Sequence, residues 1–212
     1  MVFCYLISGL LAFVLLIYVS LEFHYFLRMA ICVILAKFFK RKVHILQETK
    51  IKGICLTTDI DTLLYHMNNA RYLREIDFAR VDFYERTKLY QTIRSKGGAI
   101  VQGACTIRYR RFIRPFTTYD LTTKLIYWDD KSFYFEHRFI SNDFVRAIAI
   151  CRQRLINCNT DDIMAYLMST DGMPKGVDIE ATVRTTKPEM PLEVMKWNES
   201  NEISSANLRN GC

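Results

Sequence analysis

The sequence is poor in the residues that mark repetitive or unfolded chains. Its 212 residues include only 8 Gly and 4 Pro, and half of the residues are hydrophobic. This composition excludes a collagen-like repeat and a disordered polymer. The chain also lacks internal repeats and any recognised nucleic-acid-binding motif, so we exclude that class of partner. Its length fits one domain of roughly 100 to 200 residues with an additional segment.

Charge is absent from the beginning of the chain. Residues Met1 to Leu21 contain no ionised side chain. The apolar run Val2 to Ser20 is long enough to cross a hydrocarbon core of about 30 Å as a helix. A cleaved secretory signal is the alternative, but such signals carry basic residues before the apolar run and small residues at the cut. Neither feature is present, so the pattern favours an N-terminal transmembrane anchor over a secreted protein.

Basic residues follow the apolar run. Up to Ile45 the chain has five of them against Glu22, namely Arg28, Lys37, Lys40, Arg41 and Lys42. The net charge of this segment is +4, more than half of the total of +7. Such a cluster attracts anionic lipid head groups and stays on the cytosolic side of a membrane. We therefore predict a single-pass membrane protein whose domain faces the cytosol.

The cysteines show no pattern of metal ligands or disulfide bonds. There are seven, an odd number, without C-x-x-C spacing: Cys4, Cys32, Cys55, Cys105, Cys151, Cys158 and Cys212. Scattered cysteines of this kind indicate free thiols in a reducing compartment. We expect no metal site.

The remaining sequence predicts an α+β domain. A short strand, Ile51 to Thr58, precedes one long helix, Asn69 to Lys88, which Asn68 or Asn69 is placed to cap. Four strands joined partly by tight turns come next: Ala99 to Ile113, Thr118 to Trp128, Ser132 to Ile140 and Phe144 to Asn157. A short helix through Met168 follows. One helix on an antiparallel sheet is a two-layer arrangement. We divide the chain into an anchor with its basic segment (1–45), the domain (46–169) and a polar C-terminal tail (170–212).

Polar residues that could take part in a reaction lie where the first strand ends and the long helix begins. Asp59 and Asp61 are followed by His66, Asn68 and Asn69. A helix N-terminus offers free N–H groups to an oxyanion, and a nearby carboxylate is a candidate base or nucleophile. The structural alternatives are a turn formed by either aspartate, a hydrogen-bonded His66 and helix caps formed by the asparagines.

These residues carry a resemblance to a known family. Asp61, His66 to Leu73 and Glu75 to Arg80 resemble the signature of the hotdog-fold acyl-CoA thioesterase superfamily. Further matches to its membrane-anchored branch are Asp59-Ile60-Asp61, Trp128-Asp129-Asp130, Phe133-Tyr134, Trp197, Asn201-Glu202 and Ser204-Ser205. The resemblance implies a hotdog fold, in which an antiparallel sheet wraps a long helix, and homodimers with acyl-CoA sites at the interface.

The resemblance also implies roles for individual residues. Asp61 would be the base or nucleophile, and Asn68 and Asn69 would lie at the end of the site that binds the oxyanion. Asp59 would take the role of Asp61 if the alignment with the family signature is shifted. No cofactor is implied. The implied activity is hydrolysis of fatty acyl-CoA thioesters in lipid metabolism, at the endoplasmic reticulum membrane.

One departure supports an alternative function. Tyr65 stands where the family typically has Gly, a residue that lets the backbone approach a ligand. The alternative is a non-catalytic acyl-CoA- or lipid-binding module, or a regulatory module, on the same membrane.

Arginines cluster on the second predicted strand and the loop after it. They are Arg108, Arg110, Arg111 and Arg114, with Tyr109 and Phe112 between them. Arginine binds phosphate groups through two parallel hydrogen bonds, so this cluster is a candidate clamp for the phosphates of CoA. The alternatives are a solvated strand face and a contact to lipid head groups.

Overall fold

The computed structural model describes residues 2–20, 22–169 and 186–211 of the chain. The chain divides into two compact units, Met1–Lys40 and Arg41–Cys212. The first unit contains two helices, α1 (Val2–Ser20) and α2 (Phe23–Ile34). One turn of π-helix, Leu35–Phe39, continues α2.

The apolar N-terminal segment is helical, as its composition predicts. Within the described ranges, however, no single helix is long and apolar enough to cross a membrane. Two helical segments, Val2–Tyr18 and Phe23–Phe39, pass that test only as a pair, and the pair is bent by 76°. The single transmembrane helix predicted from the sequence is therefore not confirmed.

The second unit contains one antiparallel sheet and four helices in its described residues. Its strands are β1 (Thr49–Ile54), β2 (Ala99–Tyr109), β3 (Thr118–Trp128), β4 (Ser132–Ser141) and β5 (Phe144–Ile156). Its helices are α3 (Asn69–Thr87), α4 (Leu89–Ser95), α5 (Thr160–Met168) and α6 (Leu192–Gly211), and a short 3₁₀ turn lies at Thr57–Asp59. The predicted long helix and strands are thereby confirmed, and β3 has the predicted bounds.

The strand order in the sheet is β1-β3-β4-β5-β2, with every neighbouring pair antiparallel. Strand β5 lies between β4 and β2, which agrees with apolar residues on both of its faces. Asn142 and Asp143 connect β4 to β5 with positive φ angles of 51° and 56°. Positive φ at both central residues is typical of a type I′ hairpin turn, and the tight turn predicted here is thereby confirmed.

Helix α3 packs on one face of the sheet and forms most of the core there. Its buried residues include Ile76, Ala79 and Phe83, which join core clusters with Leu121 and Phe135 of the sheet. Burying such side chains contributes about 1.5–3 kcal/mol each to folding. This face therefore fixes the position of the N-terminal end of α3 relative to the strands.

The other face of the sheet is partly covered by the C-terminal helix. Val194 of α6 is fully buried against Tyr134 of β4 and Ile150 of β5, and Trp197 packs beside them. Asn198 adds a hydrogen bond of 2.7 Å to the Tyr134 hydroxyl. The sequence segment predicted as a polar tail thus includes this helix, while residues 170–185 lie outside the described ranges.

Helix α4 was also not predicted from the sequence. Lys88 adopts a left-handed conformation, with φ of 61°, and ends α3. Helix α4 follows at once and buries Leu89 and Ile93 in the core. Its seven residues are too few to show a clear helical period, which is why the sequence did not predict a helix here.

Candidate active site

A short loop before α3 contains most of the predicted polar residues. An isolated antiparallel bridge between Ile60 and Met67 closes it, and the backbone N–H of Asp61 donates to the carbonyl of His66 at 2.9 Å. A second bond, from the N–H of Met67 to the carbonyl of Ile113 at 2.8 Å, fastens the loop to the segment after β2. We call residues 61–66 the acidic loop.

The Asp61 carboxylate organises the acidic loop. Its Oδ1 accepts hydrogen bonds from the backbone N–H groups of Tyr65 at 3.0 Å and His66 at 3.2 Å, and Oδ2 accepts one from Leu63 at 3.3 Å. Desolvation acts to raise the pKa of the Asp61 carboxyl, but these three donors outweigh it and hold the pKa below its ordinary value. Asp61 is therefore an anion at neutral pH, a state that suits a nucleophile better than a strong base.

Asp59 has a different environment. It is only 6% exposed, and Arg71 of α3 donates to its Oδ1 through Nη2 at 2.7 Å and Nε at 2.9 Å. The second oxygen accepts the N–H of Leu56 at 2.9 Å. Both oxygens are therefore engaged in holding the 3₁₀ turn against α3.

His66 presents one free ring nitrogen. Its Nδ1 lies 2.8 Å from the carbonyl oxygen of Met67, and because a carbonyl only accepts, Nδ1 carries the proton. In the neutral ring Nε2 then keeps its lone pair, and no described residue donates to it. The ring stacks on Phe112 with 4.2 Å between centroids and an angle of 4°. His66 thus has a fixed orientation and an available acceptor.

The two asparagines lie at the start of α3. Asn68 is the N-cap, and its Oδ1 accepts the N–H of Ala70 at 2.9 Å, which confirms the predicted cap. Asn69 is the first helical residue and is exposed, while its carbonyl accepts a bond of 3.0 Å from the Tyr109 hydroxyl. The positive end of the α3 dipole is therefore adjacent to the acidic loop.

A cavity of about 470 Å³ lies beside the acidic loop, at the end of β2. Its lining consists of Tyr109, Arg110, Arg111, Phe112, Arg114 and Arg146. Phe144 supports three of the guanidinium groups, which lie 4.8 Å (Arg110), 4.3 Å (Arg111) and 5.7 Å (Arg146) from its ring centroid. We call this site the arginine cavity, and its volume is within the usual range for small-molecule sites.

The arginine cavity and the acidic loop share side chains. Phe112 lines the cavity and also contacts both His66 and Tyr65, whose ring centroid lies 5.5 Å away. Arg114 donates to the Tyr65 hydroxyl at 3.4 Å and lies 5.7 Å from the centre of its ring. The two predicted groups of residues therefore form one continuous surface.

The structure changes the membership of the arginine group. Arg110, Arg111 and Arg114 line the cavity, whereas Arg108 is exposed and not among the lining residues. Arg146 was not predicted, because it reaches the site only through the pairing of β5 with β2, where its carbonyl accepts the N–H groups of Arg110 and Arg111. The described residues that line the cavity include no carboxylate, so its field favours an anion.

The chemistry available here is acid–base or nucleophilic chemistry beside an anion site. The acidic loop contributes one carboxylate and one imidazole with a free nitrogen, and α3 contributes a helix N-terminus. These groups lie on the same surface as four guanidinium groups. In the described ranges no group of three or more His, Cys, Asp and Glu side chains is arranged to hold a metal ion.

The fold is that of one protein family. The model of the thioesterase-like superfamily matches residues 55–198, a span that includes the acidic loop, α3 and the whole sheet from β2 onward. The chain therefore belongs to the thioesterase-like superfamily, and its fold is the hotdog fold predicted from the sequence.

Relatives within this family match nearly the whole chain. Protein THEM6 of Drosophila melanogaster is 41% identical over 201 residues, covering 94% of this chain and 97% of that protein. Protein THEM6 of Xenopus laevis is 37% identical over 211 residues, covering 99% and 94%. These matches confirm the predicted resemblance to thioesterase superfamily member 6. Among solved structures, a hypothetical protein from Thermus thermophilus shares the fold, with a TM-score of 0.51, 19% identity and coverage of 57% of this chain and 95% of its own.

Proposed function

We propose that this protein hydrolyses fatty acyl-CoA thioesters. The observation that carries the proposal is the shared surface of the acidic loop and the arginine cavity, joined by Phe112 and Arg114. An acyl-CoA molecule has both features that this surface suits, a reactive thioester and several phosphate groups. Membership of the thioesterase-like superfamily supports the same reaction.

The arginine cavity would bind the phosphates. Arg110, Arg111, Arg114 and Arg146 offer planar groups that donate two parallel hydrogen bonds to phosphate oxygens. None of these four arginines forms an ion pair with a described carboxylate, so binding would not require an existing salt bridge to break.

The acidic loop would carry the reaction. The thioester carbonyl would lie at the N-terminal end of α3, beside Asn68 and Asn69, where the helix dipole favours developing negative charge on oxygen. Asp61 would either attack the carbonyl carbon as an anion or orient a water molecule, and Nε2 of His66 would take the proton of the attacking water. If water attacks, the C–S bond breaks and the free acid forms directly. If Asp61 attacks, the C–S bond breaks to leave a mixed anhydride on Asp61, which water then hydrolyses to the free acid. In both routes the departing thiolate takes up the proton that the attacking water loses, so the products are a free acid and the CoA thiol.

A homodimer is part of this proposal. Strand β2 lies at one edge of the sheet, and its residues from Val101 to Gly103 and Arg108 to Tyr109 are exposed. Edges of this length are open to pairing with a second copy of the chain. Such pairing would bring the site at the end of β2 near the partner.

Membrane attachment is a further part of the proposal. The exposed apolar helices α1 and α2 and the basic residues after them suit a membrane anchor at the endoplasmic reticulum, with the domain in the cytosol. The domain would then face the compartment in which acyl-CoA is made available for lipid metabolism. A cleaved signal and secretion remain the alternative arrangement.

The test is release of free thiol from acyl-CoA by the full-length protein in detergent. We expect turnover with at least one chain length between acetyl and stearoyl, and its loss in Asp61→Asn, which keeps the size of the side chain but removes its negative charge. Arg108→Gln, outside the cavity, is the control and should keep the wild-type rate. Absence of turnover at every chain length contradicts the proposal.

A non-catalytic binding module is the second candidate. Two observations favour it: Tyr65 occupies a position that the family typically gives to Gly, and both oxygens of Asp61 already accept backbone hydrogen bonds. The discriminating result would be saturable binding of acyl-CoA in calorimetry without any release of thiol. Absence of both binding and turnover would leave only a scaffold role.

A further inference from the structure

Strands β2 and β5 place two free cysteines side by side. Cys105 and Cys151 are direct partners in the register of the antiparallel pair, and their Sγ atoms lie 3.3 Å apart. Cys151 is fully buried and Cys105 is half-buried, and both lie on the same side of the sheet. Cys151 belongs to the core cluster around Ile76 and Ala79 of α3, and Cys105 packs against that cluster.

The backbone geometry of this pair fits a disulfide bond. Directly opposed residues in antiparallel strands have Cα atoms about 4.5 or 5.5 Å apart, and both values are within the range found for disulfides, about 4.4–6.8 Å. The sulfur atoms would need to approach by about 1 Å to reach bonding distance. A β-bulge between Gln102 and Ala104 lies directly before Cys105, on an edge strand, so local adjustment of the backbone is possible there.

The two thiols differ chemically. A hydrogen bond with Cys151 lowers the pKa of Cys105, and the positive charge of Arg80 lowers it further against the effect of burial. The same hydrogen bond and burial raise the pKa of Cys151. Because the thiolate is the reactive form and Cys105 is also the more accessible of the two thiols, we assign Cys105 as the nucleophile of the pair.

Arg80 is held in place near this pair. Its Nη1 donates to Gln102 Oε1 at 2.5 Å and its Nη2 donates to Asp77 Oδ1 at 2.6 Å. Gln102 in turn accepts a bond of 3.3 Å from Gln153, its partner across the strands. The guanidinium therefore has a defined position from which to stabilise negative charge on Cys105.

We propose that Cys105 and Cys151 form a peroxide-sensitive dithiol, a modification site distinct from the acidic loop and the arginine cavity. The Cys105 thiolate attacks one oxygen of hydrogen peroxide and the O–O bond breaks, which leaves a sulfenic acid on Cys105 and releases water after proton transfer. The Cys151 thiol then attacks the Cys105 sulfur, a second water leaves, and the S–S bond forms. Two thiols are oxidised by two electrons and one peroxide is reduced to two waters.

The proposed bond would join the edge strand β2 to β5 covalently. Because β2 continues into Arg110 and Arg111, oxidation would fix the strand that carries one wall of the arginine cavity. The intermediate on Cys105 would be short-lived, since the second thiol is already within hydrogen-bonding distance.

The test is mass spectrometry of the purified full-length protein after treatment with hydrogen peroxide. We expect a loss of two mass units and a peptide linked through Cys105 and Cys151 that disappears on reduction. Cys55→Ala is the matched control, because burial and nearby carboxylates raise the pKa of this buried thiol to about 11. That variant should form the linked peptide as the wild type does.

A second variant tests the order of events. In Cys151→Ala the sulfenic acid on Cys105 has no partner, so dimedone should label Cys105 at least fivefold more than in the wild type. Circular dichroism would verify that the variant is folded. A linked peptide between other cysteines, an unmodified Cys105 in the treated wild type, or equal dimedone labelling in both proteins would overturn the proposal.

Discussion

The imidazole of His66 lies parallel to the phenyl ring of Phe112, with 4.2 Å between the ring centroids and 4° between the planes. This contact joins the loop before α3 to the segment after β2. It orients the only imidazole of the acidic loop while leaving Nε2 without a described donor. The geometry of the proposed active site therefore depends on an aromatic residue that does not take part in the reaction.

Replacing Phe112 tests this dependence. Phe112→Ala removes the stacking partner of His66, and aromatic pairs contribute about 0.5–1.5 kcal/mol beyond their buried area. We expect kcat for acyl-CoA hydrolysis to fall roughly twofold to tenfold because the base loses its fixed orientation. The control is Phe116→Ala, an exposed aromatic residue in the same segment. Equal kinetic effects of both substitutions would contradict the role of the stack.

The buried histidine of the core makes stability depend on pH. His137 is fully buried, with Nδ1 3.0 Å from the Thr123 hydroxyl and Nε2 without a hydrogen-bond partner among the described residues. Burial and the charge of Arg80 lower its pKa to about 3. Below about pH 6.5 the unfolded chain binds a proton at His137 that the folded protein does not. The free energy of unfolding therefore decreases as the pH falls from 6.5 toward 3.

Urea unfolding at two pH values measures this effect. The linkage relation predicts about 2 kcal/mol less free energy of unfolding at pH 5 than at pH 7.5 from this residue. The glutamine in His137→Gln does not titrate, so this variant should lack that part of the difference between pH 5 and pH 7.5. This holds whether the variant is more or less stable than the wild type. The same pH dependence in wild type and variant would show that His137 is not responsible.

The position of Asn198 makes the orientation of the protein testable. Its Nδ2 donates to the Tyr134 hydroxyl at 2.7 Å, and that hydroxyl donates to Asp129 at 2.7 Å. Asn198-Glu199-Ser200 is a glycosylation sequon, but a glycan attached at Nδ2 would disrupt this contact between α6 and the sheet. If the domain is cytosolic, as we propose, protease should digest it on sealed microsomes without detergent, and Asn198 should carry no glycan. A protected or glycosylated domain would place it in the lumen.

The sequence predicted the local structure well because local signals determine it. Three predicted features depend only on residues a few positions apart. They are the helical spacing of apolar residues in α3 up to Phe83 and Thr87, the cap at Asn68, and the turn at Asn142 and Asp143. The bounds of β3 and the end of α5 at Met168 were predicted to the residue for the same reason. Helix α4 was missed because seven residues carry too little periodic pattern.

The candidate site was predicted less completely because it depends on distant contacts. Arg146 and Phe144 reach the arginine cavity through the pairing of β5 with β2, and no local pattern in the sequence encodes that pairing. The ion pair between Asp59 and Arg71 shows the same limit: its residues are twelve positions apart on different elements. The sequence offered Asp59 as a substitute for Asp61, whereas the contacts of Asp59 are those of a buried structural carboxylate.

The central claim is that the arginine cavity and the acidic loop act on the same acyl-CoA molecule. The most direct measurement is the rate of thiol release against acyl-CoA concentration for the wild type, Arg111→Gln and Arg108→Gln. Arg111 lines the cavity, and Arg108, three residues earlier in β2, does not. We predict that Arg111→Gln raises KM about tenfold, equivalent to about 1.4 kcal/mol, while Arg108→Gln stays within about twofold of the wild type. Equal KM values for the three proteins, or no turnover by any of them, would contradict the claim.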